Sequence, residues 1–283
     1  MVRQSAGNQI LLSSNDKVGS SETTRGTLNC NDLHNLNFDS NFRDWLIGFT
    51  EGNGSFIVAK SGYLEFKITQ SSVDAQVLFY IKKTLGFGSV TVQDKKNKTH
   101  HYRVRDKKGT QTLIYIFNGR LHTSAKILQF EKWVKAFNKI YKVELQICPC
   151  ENSPSLENAW LAGFSDAEGC FTCSAIERSV SYTQIQVRYI LSQKGERELL
   201  EKIALLTGGR IHYLKSYEGY NMTVNFLKLD KIIRYFNFYG LKTKKYIDYF
   251  NWLKVYNFVK NKEHFTPEGL TKIRNLINKI NAK

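Results

Sequence analysis

The sequence lacks several features that would mark a membrane protein or a secreted, disulfide-rich protein. It contains no run of about twenty apolar residues, so no membrane-spanning helix is expected. Its N-terminus has no apolar signal core. The five cysteines are odd in number and scattered, which argues against a disulfide framework and for reduced thiols. Cys170 and Cys173 have the spacing of half a zinc site, but no second Cys or His pair lies at a suitable distance.

Acidic residues are scarce relative to basic ones. The chain has 41 Lys and Arg against 25 Asp and Glu, which gives a formal net charge of +16. This charge favours a polyanionic partner, and nucleic acid is the first expectation because each neutralised phosphate releases counterions. The alternative is a basic surface without a specific partner. Hydrophobic residues make up 42% of the 283 residues, so the chain can bury sizeable cores.

One twelve-residue segment occurs twice. Residues 45–56 read WLIGFTEGNGSF and residues 160–171 read WLAGFSDAEGCF, an offset of 115 with six identical positions. A second, weaker repeat lies further along the chain, at an offset of 119 residues. It matches Lys126, Phe130 and Trp133 with Lys245, Tyr249 and Trp252. Two repeats in the same order predict two copies of one structural unit.

The repeats divide the chain into parts. Residues 1–38 are polar and rich in Ser and Asn, and we expect them to form a poorly ordered leader. Residues 39–147 are assigned to the first unit and residues 156–283 to the second, while residues 148–155, which hold two of the three prolines, are assigned to a linker. The periodic patterns predict the order α-β-β-α-β-β-α-α in each unit, with first helices at 42–52 and 156–167. This order is typical of an α+β fold with two pseudo-symmetric units, and the chain is expected to be a monomer.

Each repeated segment predicts a helix with one bare face. Gly48 and Gly52 are four residues apart, as are Gly163 and Ala167, so each pair lies on one side of its helix. Two such helices can approach backbone to backbone. The sequence therefore predicts a central two-helix interface between the units.

Each predicted helix ends in a polar residue followed by glycine, Asn53-Gly54 in the first copy and Glu168-Gly169 in the second. Glycine favours the turn that ends a helix, so the two polar residues should emerge side by side. A carboxylate at a helix C-terminus is disfavoured by the helix dipole. A bound cation at this point would offset that cost.

These motifs resemble the paired LAGLIDADG signatures of single-chain homing endonucleases, and the resemblance covers residues 40–283. It implies saddle-shaped antiparallel sheets that bind duplex DNA, and Mg²⁺ (or Mn²⁺) held by the residue before the last glycine of each motif. It also implies a lysine near each active site and a polar residue at the end of each second strand. The residues so assigned are Asn53, Glu168, Lys126, Lys245, Gln70 and Gln193. For either lysine the alternative is an ordinary surface charge, and for either glutamine it is an ordinary polar surface residue.

Asn53 departs from the family pattern, in which both metal-binding positions are usually acidic. An amide oxygen can bind a metal but brings no charge, so metal binding and cleavage of at least one strand should weaken. Glu51 lies about 200° round the helix from this position and is not an obvious substitute. Four outcomes stay open: a slow double-strand cutter, a one-strand nickase, a binder without cleavage and a deliberately inactivated variant.

Alternate positions of the predicted strands carry side chains suited to base edges and phosphates in the major groove. The first-half candidates are Lys60, Tyr63, Glu65, Lys67, Arg103 and Arg105. The second-half candidates are Thr172, Ser174, Gln184, Gln186, Arg188, Lys215 and Asn225. Lys95, Lys96 and Lys98 in a hairpin loop suit phosphates. Because the two halves differ at these positions, we expect a long, asymmetric target; the alternative for any single residue is a solvated strand face.

Three functions are compatible with these residues. The first is a site-specific endonuclease that mobilises the group I intron encoding it. The second is an RNA maturase that helps that intron to fold, a role that the loss of a catalytic acid would not harm. The third is a DNA-binding protein with inactive sites. The resemblance also implies an organelle-encoded protein, most often mitochondrial.

Overall fold

The computed structural model describes residues 39–150, 153–180 and 182–280. The expected leader, residues 1–38, lies outside the described residues. None of the helices in the described ranges combines the length and apolar character needed to cross a membrane.

The first half begins with a helix that Asp39 caps. The Asp39 carboxylate accepts hydrogen bonds from the backbone N–H groups of Asn41 (3.3 Å) and Phe42 (3.2 Å), so the helix begins at Ser40, two residues before the predicted start. The elements of this half are α1 (Ser40–Asn53), β1 (Gly54–Val58), β2 (Leu64–Ser71), α2 (Ala75–Leu85), β3 (Ser89–Asp94), β4 (Thr99–Val104), α3 (Lys107–Phe117) and α4 (Ser124–Tyr141).

The first helix of the second half begins four residues later than predicted, at Trp160. The Asn158 side chain accepts a hydrogen bond from the Trp160 N–H (3.0 Å) and the Ser155 hydroxyl accepts one from the Glu157 N–H (3.0 Å), which favours a turn here instead of a helix. The elements of this half are α5 (Trp160–Glu168), β5 (Gly169–Ser179), β6 (Tyr182–Gln193), α6 (Arg197–Thr207), β7 (Arg210–Leu214), β8 (Gly219–Asn225), α7 (Leu229–Tyr239), α8 (Lys245–Lys260) and α9 (Pro267–Ile277).

The eight strands of the described residues form two antiparallel sheets with the same topology. Their strand orders are β1-β2-β4-β3 and β5-β6-β8-β7. The registers also agree, because Gly54 pairs with Ile68 in the first sheet and Gly169 pairs with Leu191 in the second. The predicted α+β fold with two pseudo-symmetric units is confirmed.

The core of each half contains an aromatic cluster at equivalent positions. The second repeat in the sequence supplies the helical members of this cluster, on α4 and α8. The last residue of each copy of the twelve-residue segment supplies the strand member. The ring-centroid distances are Phe56–Phe130 5.3 Å, Phe56–Trp133 5.3 Å, Phe171–Tyr249 5.2 Å and Phe171–Trp252 5.4 Å. The second repeat therefore marks the contact between each sheet and the helix behind it, α4 or α8.

Two details differ from the sequence-based expectation. Within the described residues, three α-helices instead of two follow β8, because α8 ends at Lys260 and α9 begins afresh at Pro267, where the Thr266 hydroxyl accepts a hydrogen bond from the Gly269 N–H (3.0 Å). The expectation of reduced thiols is wrong at Cys148, which is disulfide-bonded.

Candidate active site and nucleic-acid interface

Helices α1 and α5 lie in backbone contact. A Cβ atom added at Gly48 would lie 2.0 Å from the carbonyl oxygen of Trp160, and one added at Gly163 would lie 1.9 Å from the carbonyl oxygen of Trp45. Such distances leave no room for any side chain. The predicted central two-helix interface is confirmed, and its closeness depends on glycine at both crossing points.

Two buried carboxylates join the helices by reciprocal hydrogen bonds. The indole N–H of Trp45 on α1 donates to Asp166 on α5 (2.8 Å), and that of Trp160 on α5 donates to Glu51 on α1 (2.5 Å). Glu51 and Asp166 are only 5% and 3% exposed, so a metal ion or DNA cannot reach them readily. The acids that precede Asn53 and Glu168 by two residues therefore stabilise the interface.

The same carboxylates hold the segments that lead to α4 and α8. Glu51 accepts hydrogen bonds from the backbone N–H groups of His122 and Thr123 (both 2.6 Å), and Asp166 accepts one from the N–H of Lys242 (2.8 Å). Burial raises the pKa of Glu51 to about 7, although these hydrogen bonds oppose the rise, and burial also raises the pKa of Asp166. Each motif helix thus fixes the start of the helix that carries its half's lysine.

Lys126 and Lys245 reach the C-terminal ends of the motif helices. The Lys126 ammonium donates to the carbonyl oxygen of Gly54 (2.6 Å), and that of Lys245 donates to the carbonyl oxygens of Ser165 (3.1 Å) and Ala167 (3.0 Å). Cations are favoured at this end of a helix by the dipole. Burial lowers the pKa of both lysines, and nearby carboxylates, including that of Glu168, oppose the fall.

Glu168 lies within the electrostatic reach of both lysines. Burial raises its pKa, while the charges of Lys245 and Lys126 lower it. Its carboxylate also lies across α1, because a Cβ atom added at Gly52 would be 3.1 Å from the Glu168 Oε1 atom. Gly52 is the neighbour of Asn53 in the chain. The fold therefore brings the ends of both motif helices and both lysines to one site, in which Glu168 is the acid and Asn53 has no charge.

The donor groups at this site fit a divalent cation shared with phosphate. In the described part of the chain no three His, Cys, Asp or Glu side chains are grouped so that they could hold a metal ion alone. Mg²⁺ commonly uses one or two carboxylates and takes its remaining ligands from water and substrate phosphates. Glu168, with the amide of Asn53 on the neighbouring helix end, offers one charged ligand and one neutral ligand of the oxygen type that Mg²⁺ prefers.

Gln70 and Gln193 occupy equivalent positions at the ends of β2 and β6. Each lies two residues beyond the strand partner of a motif glycine, on the same side of the sheet as Ile68 or Leu191, which faces the helices. Both side chains are partly exposed. Their equivalence could be read only from the strand register, since the surrounding sequences differ.

The first sheet directs Glu65, Lys67, Arg103 and Arg105 away from the core. Glu65 is only 3% exposed and accepts hydrogen bonds from Arg103 (2.5 and 3.1 Å) and from Arg105 (3.2 and 2.9 Å). Its carboxylate is therefore engaged by two guanidinium groups and is not open to a base edge. The expectation that Glu65 contacts a base directly does not agree with this geometry, whereas both arginines keep exposed surface.

The second sheet presents a different set on the equivalent face. In its register Thr172 pairs with Arg188 and Ser174 pairs with Gln186, so these side chains point the same way. Gln184 pairs with Ile176 on that face, and Asn225 pairs with Arg188. Arg188 and Glu65 each lie three residues before the partner of a motif glycine. The two halves thus have opposite charges at one equivalent position.

The remaining recognition candidates lie in exposed turns and at strand ends. They are Lys60 and Tyr63 between β1 and β2, Lys95, Lys96 and Lys98 between β3 and β4, and Lys215 between β7 and β8. Exposed lysines at the ends of a sheet are suited to phosphates more than to base edges.

Sequence reasoning missed the structural role of Glu51 and Asp166. A signal was present, because the two acids are matched within the repeated motif. Their burial and their hydrogen bonds to α4 and α8 segments more than seventy residues away could not be read from the motif.

The chain is similar in sequence to proteins of a known family. The sequence model of the LAGLIDADG endonuclease family matches residues 46–137 and 161–256. The chain is 54% identical over 244 residues to Probable intron-encoded endonuclease 4 of Neurospora crassa, covering 86% of this chain and 45% of that protein. It is 28% identical over 254 residues to Intron-encoded RNA maturase bI4 of Saccharomyces cerevisiae, covering 80% of this chain and 37% of that protein. The chain therefore spans less than half the length of both relatives.

The fold is similar to that of the LAGLIDADG meganuclease I-AabMI, which was solved bound to uncleaved DNA. The TM-score is 0.74 and the sequence identity 24%, over 85% of this chain and 99% of that chain. Each of the two matched sequence regions begins within one helix of the central pair. The chain belongs to the LAGLIDADG endonuclease family.

Proposed function

We propose that this chain is a site-specific DNA endonuclease that cuts a long, asymmetric duplex site with the help of Mg²⁺ or Mn²⁺. The observation that carries the proposal is the meeting of Glu168, Asn53, Lys126 and Lys245 at the tips of two helices in backbone contact. A metal-dependent nuclease needs a cation-binding carboxylate, and positive groups beside the same phosphate stabilise the charge that develops there. This site offers both.

In this proposal Glu168 and Asn53 hold the divalent cation. When bound, such a cation activates water and offsets negative charge on the attacking and leaving oxygens of the phosphodiester. Lys126 and Lys245 hold protons at Nζ beside the scissile phosphates and stabilise the charge that develops there. Their partly buried setting strengthens this interaction because the local dielectric constant is lower than in water. Gln70 and Gln193 orient water at the edge of the site.

The two sheets supply recognition. Arg103 and Arg105, held by Glu65, are suited to guanine edges, while Gln184, Gln186 and Arg188 offer a different donor and acceptor pattern in the other half. Lys60, Lys67 and Lys215 add contacts to phosphates or base edges. Since the sets differ, the two half-sites should differ in sequence.

The test is strand-resolved cleavage of a duplex that carries the intronless junction of the host gene, with each strand labelled separately, in Mg²⁺ and in Mn²⁺. We expect cleavage at one position per strand, with unequal rates because Asn53 removes one charged ligand. Glu168→Gln is the control and should abolish cleavage without loss of binding. Binding of this duplex without cleavage of either strand in both metals would contradict the proposal and favour a DNA-binding protein with inactive sites.

A second candidate function is RNA maturation. Two observations favour it: Asn53 leaves one metal position uncharged, and a yeast relative is named an intron-encoded RNA maturase. The partner would then be the group I intron RNA that encodes the chain. A splicing assay of that intron with and without the protein separates this function from DNA cleavage, and Glu168→Gln should leave splicing unchanged.

We also propose that the chain acts in the organelle that encodes it, most often the mitochondrion in this family. The intron-encoded relatives support this location. Whether the reading frame lies inside an intron of an organellar gene tests it directly.

A further inference from the structure

Each lysine segment is held not only by its own half but also by a carboxylate from the opposite half. The Asp74 carboxylate, in the first half, accepts a hydrogen bond from the backbone N–H of Lys244 (2.7 Å). The Glu196 carboxylate, in the second half, accepts hydrogen bonds from the Ser124 hydroxyl (2.6 Å) and from the backbone N–H of Ala125 (3.3 Å). Ala125 and Lys244 immediately precede Lys126 and Lys245 in the chain.

The two carboxylates occupy equivalent places in the fold. Asp74 is the N-cap residue of α2 and Glu196 is the N-cap residue of α6, and both helices have eleven residues and are followed by a glycine. An Asp side chain at the N-cap usually bonds to the first turn of its own helix, as Asp39 does in α1. Neither does so here, and each bonds across the interface to the start of a lysine-bearing helix.

The contact has a defined effect on the lysines. The first backbone N–H groups of a helix have no partner within the helix, and the dipole favours a negative charge beside them. Asp74 and Glu196 meet both needs for α8 and α4. Since Lys245 is the first residue of α8 and Lys126 the third of α4, fixing these helix starts fixes the direction in which each lysine leaves its backbone.

We propose that Asp74 and Glu196 are positioning residues, each of which orients the active-site lysine of the opposite half. The proposal rests on the function proposed above. It links recognition to cleavage, because Asp74 follows β2 by three residues and Glu196 follows β6 by three residues, and these strands carry recognition candidates. A half-site bound by one sheet thus acts on the lysine of the other.

The first test does not require cleavage. The apo protein is treated with a low dose of acetic anhydride, and acetylation of each lysine is measured by mass spectrometry. Asp74→Ala should raise the labelling rate of Lys245 about fivefold and leave that of Lys126 unchanged, and Glu196→Ala should do the reverse. Asp74→Asn and Glu196→Gln keep an acceptor oxygen and should restore most of the protection.

The matched control is Glu198→Ala, which removes an exposed carboxylate from the first turn of α6 and should change neither lysine. Equal changes at both lysines would show that Asp74 and Glu196 only stabilise the interface, and this result would overturn the proposal. The absence of any change at either lysine would overturn it as well.

The second test uses strand-resolved cleavage at saturating DNA. Lys126→Met and Lys245→Met show how each lysine contributes to each strand. Asp74→Ala should reproduce the strand pattern of Lys245→Met, and the rate loss should vanish when Asp74→Ala is made in the Lys245→Met background, because the two act as one unit. Additive losses would contradict the proposal. If the unmodified chain cuts neither strand while the crossed labelling pattern holds, the proposed function fails and the positioning role stands.

Discussion

Asn53 and Glu168 hold the same place in the two motifs, but only Glu168 brings a charge to the site. Both lysines interact with the Glu168 carboxylate, which acts together with buried Glu51 on Lys126 and with buried Asp166 on Lys245. A divalent metal at this point competes with Lys126 and Lys245 for one carboxylate. A second carboxylate at residue 53 would relieve that competition.

Asn53→Asp should therefore raise the cleavage rate and lower the Mg²⁺ concentration needed for half-maximal activity, each on the order of tenfold. The measurement is single-turnover cleavage over a magnesium titration. Asn53→Ala serves as the matched control, since it removes the amide without adding charge, and it should not raise the rate. An Asn53→Asp protein that binds the target normally but cuts no faster would show that residue 53 does not hold metal.

Glu65 is buried below two arginines whose direction it sets. Glu65→Gln should free Arg103 and Arg105, so that binding to unrelated DNA becomes tighter because one negative charge is lost. Binding to the target should become less selective, since each well-placed bidentate contact provides about 1–3 kcal/mol of discrimination. The dissociation constant for unrelated DNA divided by that for the target should therefore fall about tenfold.

Glu201→Gln is the matched control for this change, because Glu201 forms an exposed pair with Arg197 on α6. It removes the same charge but should leave the ratio of dissociation constants unchanged. Retained discrimination in Glu65→Gln would mean that the arginines do not depend on Glu65 for recognition.

At the scale of elements, the helix pair decides how the molecule is assembled. Gly48→Ala would normally favour a helix by about 1 kcal/mol. Here the new methyl group would lie 2.0 Å from the Trp160 carbonyl oxygen, so α1 and α5 must separate. We expect a net loss of about 2 kcal/mol or more in the free energy of unfolding, measured by chemical denaturation. Asn41→Ala, at an exposed position of the same helix, should change stability by much less.

The link between α1 and α4 should make stability depend on pH. The pKa of Glu51 is about 7 in the folded state against 4.5 for an exposed glutamate, so folding favours the protonated form. This contribution is complete below about pH 4.5 and is lost as the pH rises through about 7. The free energy of unfolding should fall by on the order of 3 kcal/mol over this range.

Glu51→Gln should remove this part of the pH dependence. The free energies of unfolding of the unmodified protein and of Glu51→Gln are compared between pH 4.5 and pH 8. As the pH rises, the free energy of unfolding of the unmodified protein should fall relative to that of Glu51→Gln. A constant difference would show that Glu51 does not titrate in this range.

Much of the fold could be predicted from the sequence because the motifs occur twice. The paired glycines predict the contact between α1 and α5, and the second repeat predicts the two lysine-bearing helices, α4 and α8. Boundaries were less predictable where a side chain competes with the backbone, as at Asn158, which delays the start of α5. The roles of Asp74 and Glu196 could not be predicted, because their partners lie in the opposite half and the surrounding residues do not repeat.

At the scale of the whole molecule, the formal charge of +16 should make DNA binding strongly dependent on salt. Each phosphate contact adds about −0.9 to the slope of log K against log salt concentration. Replacing Lys95, Lys96 and Lys98 together with Gln should make this slope shallower by about 2–3.

Lys132, Lys135 and Lys139 on α4 provide the control, since they are exposed on a helix that packs behind the first sheet. Their replacement with Gln changes the net charge equally but should leave the slope nearly unaltered. Equal effects of the two triple variants would show that overall charge, and not the β3–β4 turn, determines the salt dependence.

The two halves are encoded in one reading frame, and this has a consequence for how such an enzyme can change. In a homodimer of identical subunits, one altered codon would replace the acid at both helix tips together, and activity would be lost in a single step. Here the codon for residue 53 can drift while that for residue 168 is kept. If the chain cleaves DNA as proposed, genes of this kind can therefore pass through partly active alleles, each with its own preference for one DNA strand.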